Sequence, residues 1–159
     1  MTVRDFVGLL WESFLPPMKN IDDGNLLHYG RTRYWLEDID EAKPENSLDK
    51  RTAARIIHQF MRMELGINDI PDVAKAKELK DLYTCRICTA HVAQVYVRGI
   101  MDAEDFMDSD GQYVRLFNMT EPIDDKTARQ IIERVKALVD YSSMAPARTR
   151  PPIKMNRTS

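Results

Sequence analysis

Cys85 and Cys88 form a C-x-x-C pair, and His91 continues the three-residue step, so on a helix all three share one face. These are zinc-ligand types, but a tetrahedral site needs a fourth. His58 is the only distant candidate of matching chemistry, and there is no second C-x-x-C. The same pair is a redox motif in thioredoxin-like folds, where a strand and a βαβ context accompany it; the flanking sequence offers neither. The bland alternative is a pair of small apolar side chains packed on a buried helix, which the run CRICTAHVAQVYV favours.

Asp108, Asp110 and Gly111 match part of a calcium loop. With Gly111 as the turn glycine, Phe106 and Phe117 would occupy the first and last ligand positions, and neither binds an ion, so a solvated turn is expected. Nothing forms a hydrolytic triad, a phosphate loop or a supported carboxylate pair, and the three histidines are dispersed. Neither an enzyme nor a cofactor is expected. Trp35 stands in a poorly patterned segment, either as its structural anchor or as an exposed stacking surface.

Helices must position these groups. The clearest spans about Lys50 to Glu64, with Ala53, Ile56, Ile57, Phe60 and Met61 at helical spacing and Gly66 beyond its end. A first helix from Val3 to Phe14 stops at Leu15-Pro16-Pro17, and a last one covers about Lys126 to Tyr141. Ala74 to Val97 reads as a long helical region with a break near Leu82, ended by Gly99. Asp22-Asp23-Gly24 is a turn, Asn25 to Tyr34 a short helix or irregular, and Tyr113 to Asn118 a brief extended segment.

Three of these helices begin alike. Met1, Leu48 and Ile123 open the segments MTVRDFVGLL, LDKRTAARII and IDDKTARQII, 47 and then 75 residues apart. Each places a capping residue second, at Thr2, Asp49 and Asp124, and large aliphatics ninth and tenth.

The chain of 159 residues suits one domain, or a few small units sharing one core. Its 23 basic and 25 acidic residues are interspersed, which argues against nucleic acid as a partner. No run approaches the roughly 20 apolar residues of a membrane span. The first residues carry Asp5 and Glu12 within their apolar stretch, unlike a signal peptide.

The repeated start resembles the I-T-R-A-E-A-A-K-I-L helix start of S-layer homology modules, repeats by which bacterial surface proteins attach to cell-wall polysaccharide. HVAQVYVRGIM, ending at Met101, is similar to the module's second helix, which closes with Gly-Ile-Ile. FNMTEPID, Phe117 to Asp124, resembles the lead-in to a following repeat, AKPENSLD has the same shape with Ala42 in place of the aromatic, and Ile70-Pro71-Asp72-Val73 resembles the F-x-D-V entry.

The resemblance implies a mainly α fold of three helical repeats in a pseudo-threefold bundle with irregular loops. The units would be about 1–41, 42–116 and a partial 117–141, with 142–159 a flexible tail. It further implies a non-catalytic module of a bacterial surface protein, holding anionic wall polysaccharide in inter-repeat grooves lined by Lys50, Asp72 and Gly99; Trp35, as a stacking surface, is a further glycan-binding candidate. The alternative is a degenerate module contacting another surface protein. A surface location requires an export signal outside these residues; if Met1 is the native start, the protein is cytoplasmic.

The departures fall on the polar positions. The family's Arg is Val3, Lys50 and Asp125, so only the middle unit keeps a cation, and a Lys meets an anion as a point charge. The family's Glu is Asp5, Thr52 and Thr127, and its Trp falls near Ile87.

Overall fold

The three capping residues act as their positions require. Thr2 Oγ1 accepts from Asp5 N (3.1 Å) while Asp5 Oδ2 accepts from Thr2 N (3.0 Å), a reciprocal capping box. Asp49 Oδ1 accepts from Thr52 N (2.9 Å), and Asp124 Oδ1 from Thr127 N (2.8 Å). Helices α1 (Val3–Phe14), α4 (Lys50–Met63) and α6 (Asp125–Ser143) follow directly from these caps.

The structure is a computed structural model and describes residues 1–14 and 23–143. The Leu15-Pro16-Pro17 stop lies outside the described residues, as does the expected tail 142–159 apart from Ser142 and Ser143, which continue the last helix. The remaining elements are α2 (Asp23–Thr32), α3 (Asp38–Ala42), α5 (Thr89–Val97) and an antiparallel hairpin of β1 (Glu104–Met107) and β2 (Tyr113–Leu116), paired Glu104 with Leu116 through Met107 with Tyr113. The fold is mainly helical, as expected.

The apolar stripes of α1, α4 and α6 meet in one core. Phe6, Leu10, Ile56, Ile57, Phe60 and Val135 are fully buried, and Leu48 and Phe117 join them from the lead-in segments. Burying side chains of this size stabilises by about 1.5–3 kcal/mol each.

The backbone between the helix starts repeats itself. Val3 N donates to Asn46 O (3.0 Å), Arg4 N to Pro44 O (2.9 Å), and Leu48 N returns to Met1 O (2.9 Å). One unit along, Lys50 N donates to Glu121 O, Arg51 N to Met119 O, and Ile123 N returns to Leu48 O, each at 2.9 Å. These pairs occupy equivalent positions when Met1, Leu48 and Ile123 are superimposed in register. The first two helix starts are therefore each laced to the lead-in of the next.

The long helix expected from Ala74 to Val97 does not form. Two 3-10 turns, Ala74–Glu78 and Arg86–Cys88, precede α5 instead. Between them the Asp81 carboxylate accepts from Phe117 N and Asn118 N (both 2.8 Å), and Thr84 Oγ1 donates to Asp81 O (2.8 Å). These long-range bonds hold the segment to the third lead-in, and periodicity within the segment carries no sign of them. Gly99, at φ +75°, ends α5 in the left-handed conformation that favours glycine, with Ile100 N donating to Val95 O (2.9 Å).

Candidate functional site

Lys50, the first residue of α4, is 6% exposed, although Lys is seldom buried without a partner. Its Nζ donates to Asp102 O (2.9 Å) and lies 4.6 Å from the centroid of the Phe117 ring. Burial pushes the ammonium below its ordinary pKa, while Glu121, Glu104, Asp102 and Asp81 pull it back up. An ammonium has three donors, and among the described residues one of them makes a hydrogen bond.

A cavity of about 210 Å³ opens beside it. Lys50 lines one wall. Thr127, Gln130, Ile131 and Arg134 of α6 form another, and Asp102, Glu104 and Glu121 supply carboxylates. Arg134 grips Asp102 with two parallel bonds (2.9 and 3.1 Å), fixing both side chains at the rim. The groove thus presents one buried cation, one paired cation and several acceptors.

A second, more open groove of about 520 Å³ repeats this construction. Asp124 and Asp125 open it at the start of α6, and Asp5, Gly8, Leu9 and Glu12 of α1 form the facing wall. Those four α1 positions match Thr127, Gln130, Ile131 and Arg134 in the shared register, and Asp125 matches Lys50. Four acids against Arg4 make this groove acidic. The two grooves share a backbone plan and differ in charge.

Of the other residues expected at a glycan site, none joins Lys50 as a lining side chain. Gly99 lies nearby, its carbonyl accepting a long bond from Arg134 (3.4 Å). Asp72 is exposed and accepts from Ala74 N (3.0 Å), opening the first 3-10 turn. Trp35 is 1% exposed and packs edge-on against Phe60 with centroids 4.9 Å apart, and its indole N–H donates to Glu64 (3.2 Å). It is a core residue with no face free for a sugar. Gly30 permits this: Trp35 N and Leu36 N both donate to its carbonyl, and a Cβ there would stand 2.6 Å from Leu36 Cδ1. Sequence reasoning missed Arg134, Asp102 and Glu121 as groove residues. The shared register was a usable signal for Arg134, since it puts that residue on the wall facing Lys50.

The zinc candidates take a different form. Cys85 and Cys88 are joined by a disulfide, so their thiolates are not available together as ligands. His91 Nδ1 faces His58 Nδ1 (2.8 Å), and His58 Nε2 faces Asp69 Oδ1 (2.7 Å). Burial, then the charges of His58, Arg55 and Arg62, lower the His91 pKa to about 4.

A depressed histidine binds fewer protons folded than unfolded between its two pKa values. Its contribution is therefore complete above about pH 6.5 and is lost as the pH falls towards 4. Discounted for a partly exposed ring, the loss is about 1–2 kcal/mol. Urea unfolding of wild type and His91→Gln across pH 4 to 6.5 checks this: the variant should show the shallower pH dependence.

Comparison with protein-family models, with curated proteins and with solved structures finds no match to the chain.

Proposed function

We propose that the chain is a non-catalytic binding module of three units, resembling S-layer homology repeats about a pseudo-threefold axis. It attaches a bacterial surface protein to anionic wall polysaccharide through the Lys50 groove. The observation that carries this reading is the repeated lacing of the helix starts at Met1, Leu48 and Ile123, with a groove at each of the last two. A repeat that reproduces its backbone bonds and varies its groove charge is built to select ligands between units.

The mechanism is recognition without bond making. The spare N–H donors of Lys50 meet the carboxylate of a pyruvylated sugar, with Arg134 at the rim, while Glu104 and Glu121 accept from sugar hydroxyls. Because Lys50 is already desolvated, an incoming anion gains more from it than from a surface lysine.

Cosedimentation with peptidoglycan carrying its secondary polymer tests the reading. Lys50→Ala should bind about 10–100-fold more weakly than wild type, the worth of a charge-assisted hydrogen bond. Failure of the wild type to sediment, or equal retention of both proteins, would sink the proposal. Circular dichroism confirms that the variant is folded.

A second reading, protein contact by a degenerate module, is favoured by the hairpin. Met107 and Tyr113 face each other across it and are both well exposed, and Phe106 is exposed to a smaller extent. Light scattering after size exclusion separates the two readings: self-association that persists without glycan supports contact, and a strict monomer that sediments with the wall supports the groove.

A further inference from the structure

The Cys85–Cys88 disulfide does not sit on a buried helix face. It lines a cavity of about 340 Å³, with Ile87 between the two cysteines 88% exposed. Cys85 is partly exposed, whereas Cys88 is buried as the residue that leads into α5. Arg51, Arg55 and His91 line the same cavity, with Glu37 as its one carboxylate. This is an accessible disulfide beside two guanidinium groups, Arg55 held by Asp40 and Arg51 by Asp49, so the cavity offers N–H donors rather than net positive charge.

The histidine pair gives the cavity a directed base. In the tautomer where Asp69 Oδ1 accepts a hydrogen bond from His58 Nε2–H, His58 Nδ1 carries only a lone pair. It must then accept from His91 Nδ1–H. His91 Nε2 is left as an acceptor, with no hydrogen-bond partner among the described residues. His58, 3% exposed, is locked between its two partners and holds this orientation.

We propose that Cys85 and Cys88 form a redox-active pair that accepts two electrons from a substrate dithiol, with His91 as proton carrier. One substrate thiol gives its proton to His91 Nε2, and its thiolate sulfur attacks Cys85 Sγ. The Cys85–Cys88 bond breaks, and its electron pair leaves on Cys88 Sγ, which takes the proton back from His91. The second substrate thiolate then attacks the substrate sulfur of the mixed disulfide and expels Cys85 as a thiolate, which is protonated. The protein disulfide becomes a dithiol, and the substrate dithiol becomes a disulfide. Exposed Ile87 supplies apolar contact for a peptide-borne dithiol. Thioredoxin-like context is not required, because the base, its orientation and the unequal cysteine exposure are supplied by α4, α5 and the Asp69 loop.

Stopped-flow reduction by dithiothreitol tests this. His91→Gln should slow reduction about tenfold, less than the ~10²–10⁴-fold usual for a general base, because a pKa of about 4 makes His91 a weak one. The equilibrium with dithiothreitol should stay unchanged, an outcome that mere loosening of the structure would not produce. In a second test, Cys88→Ser should accumulate a mixed disulfide with an added disulfide probe at Cys85, while Cys85→Ser should not, as read by intact mass. Equal reduction rates in wild type and His91→Gln, a folded-state disulfide inert to dithiothreitol, or no adduct on a folded Cys88→Ser chain would each overturn the proposal. None of these outcomes bears on glycan retention, so the two proposals fail separately.

Discussion

Replacing Asp40 by alanine should lower the free energy of unfolding by about 3–5 kcal/mol, the range for breaking a buried ion pair from one side. Asp40 is 2% exposed, and its two carboxylate oxygens accept from both terminal nitrogens of Arg55 (2.7 and 2.9 Å). The same carboxylate accepts from Glu37 N at the start of α3 (2.8 Å). Removing it leaves a largely buried guanidinium opposite an apolar methyl and an unsatisfied backbone donor. Glu37, 3.8 Å from Arg55 and mostly exposed, compensates little. Urea unfolding reads the loss as a lowered midpoint. The double variant with Arg55→Leu should recover part of it, since no charge is then stranded. A loss below about 1 kcal/mol in Asp40→Ala would mean that the pair is solvated.

The second large effect is at Trp35. Trp35→Ala should cost about 3–5 kcal/mol, as for other large aromatic deletions from a core. It removes the ring packed on Phe60 and strands a Glu64 oxygen whose carboxylate also pairs with Arg33. Trp35→Phe should cost less in stability and leave wall retention unchanged. A folded Trp35→Phe variant that no longer sediments would restore the stacking role expected of Trp35 from sequence.

What was legible in the sequence is what local chemistry dictates. Thr2, Asp49 and Asp124 cap their helices because a short polar side chain before an apolar stripe has few better uses, and Gly66 and Gly99 end theirs at positive φ. Lys50 stood out through its position in the repeated start, and it does line a groove. Long-range bonds were not legible. The Asp40–Arg55 pair joins residues in different patterns, and Asp81 reaches the third lead-in across 36 residues to bond Phe117 N. Trp35 gave no period because Gly30 and a turn, rather than a helix face, carry it into the core. The hairpin is half visible: Tyr113 to Asn118 reads as extended and contains β2, whereas nothing marks Glu104 to Met107 as a strand, since its side chains are all exposed and show no alternation. Cys85 and Cys88 were read on one helical face, whereas the chain there turns in 3-10 geometry and brings the sulfurs together.

The most direct test of the central claim is an NMR titration of the 15N-labelled protein with a purified, pyruvylated fragment of wall polysaccharide. Saturable shifts concentrated at Lys50, Ile100, Asp102, Glu121, Thr127 and Arg134, and abolished in Lys50→Ala, are the expected result. Shifts centred elsewhere, or none at millimolar ligand, would contradict it.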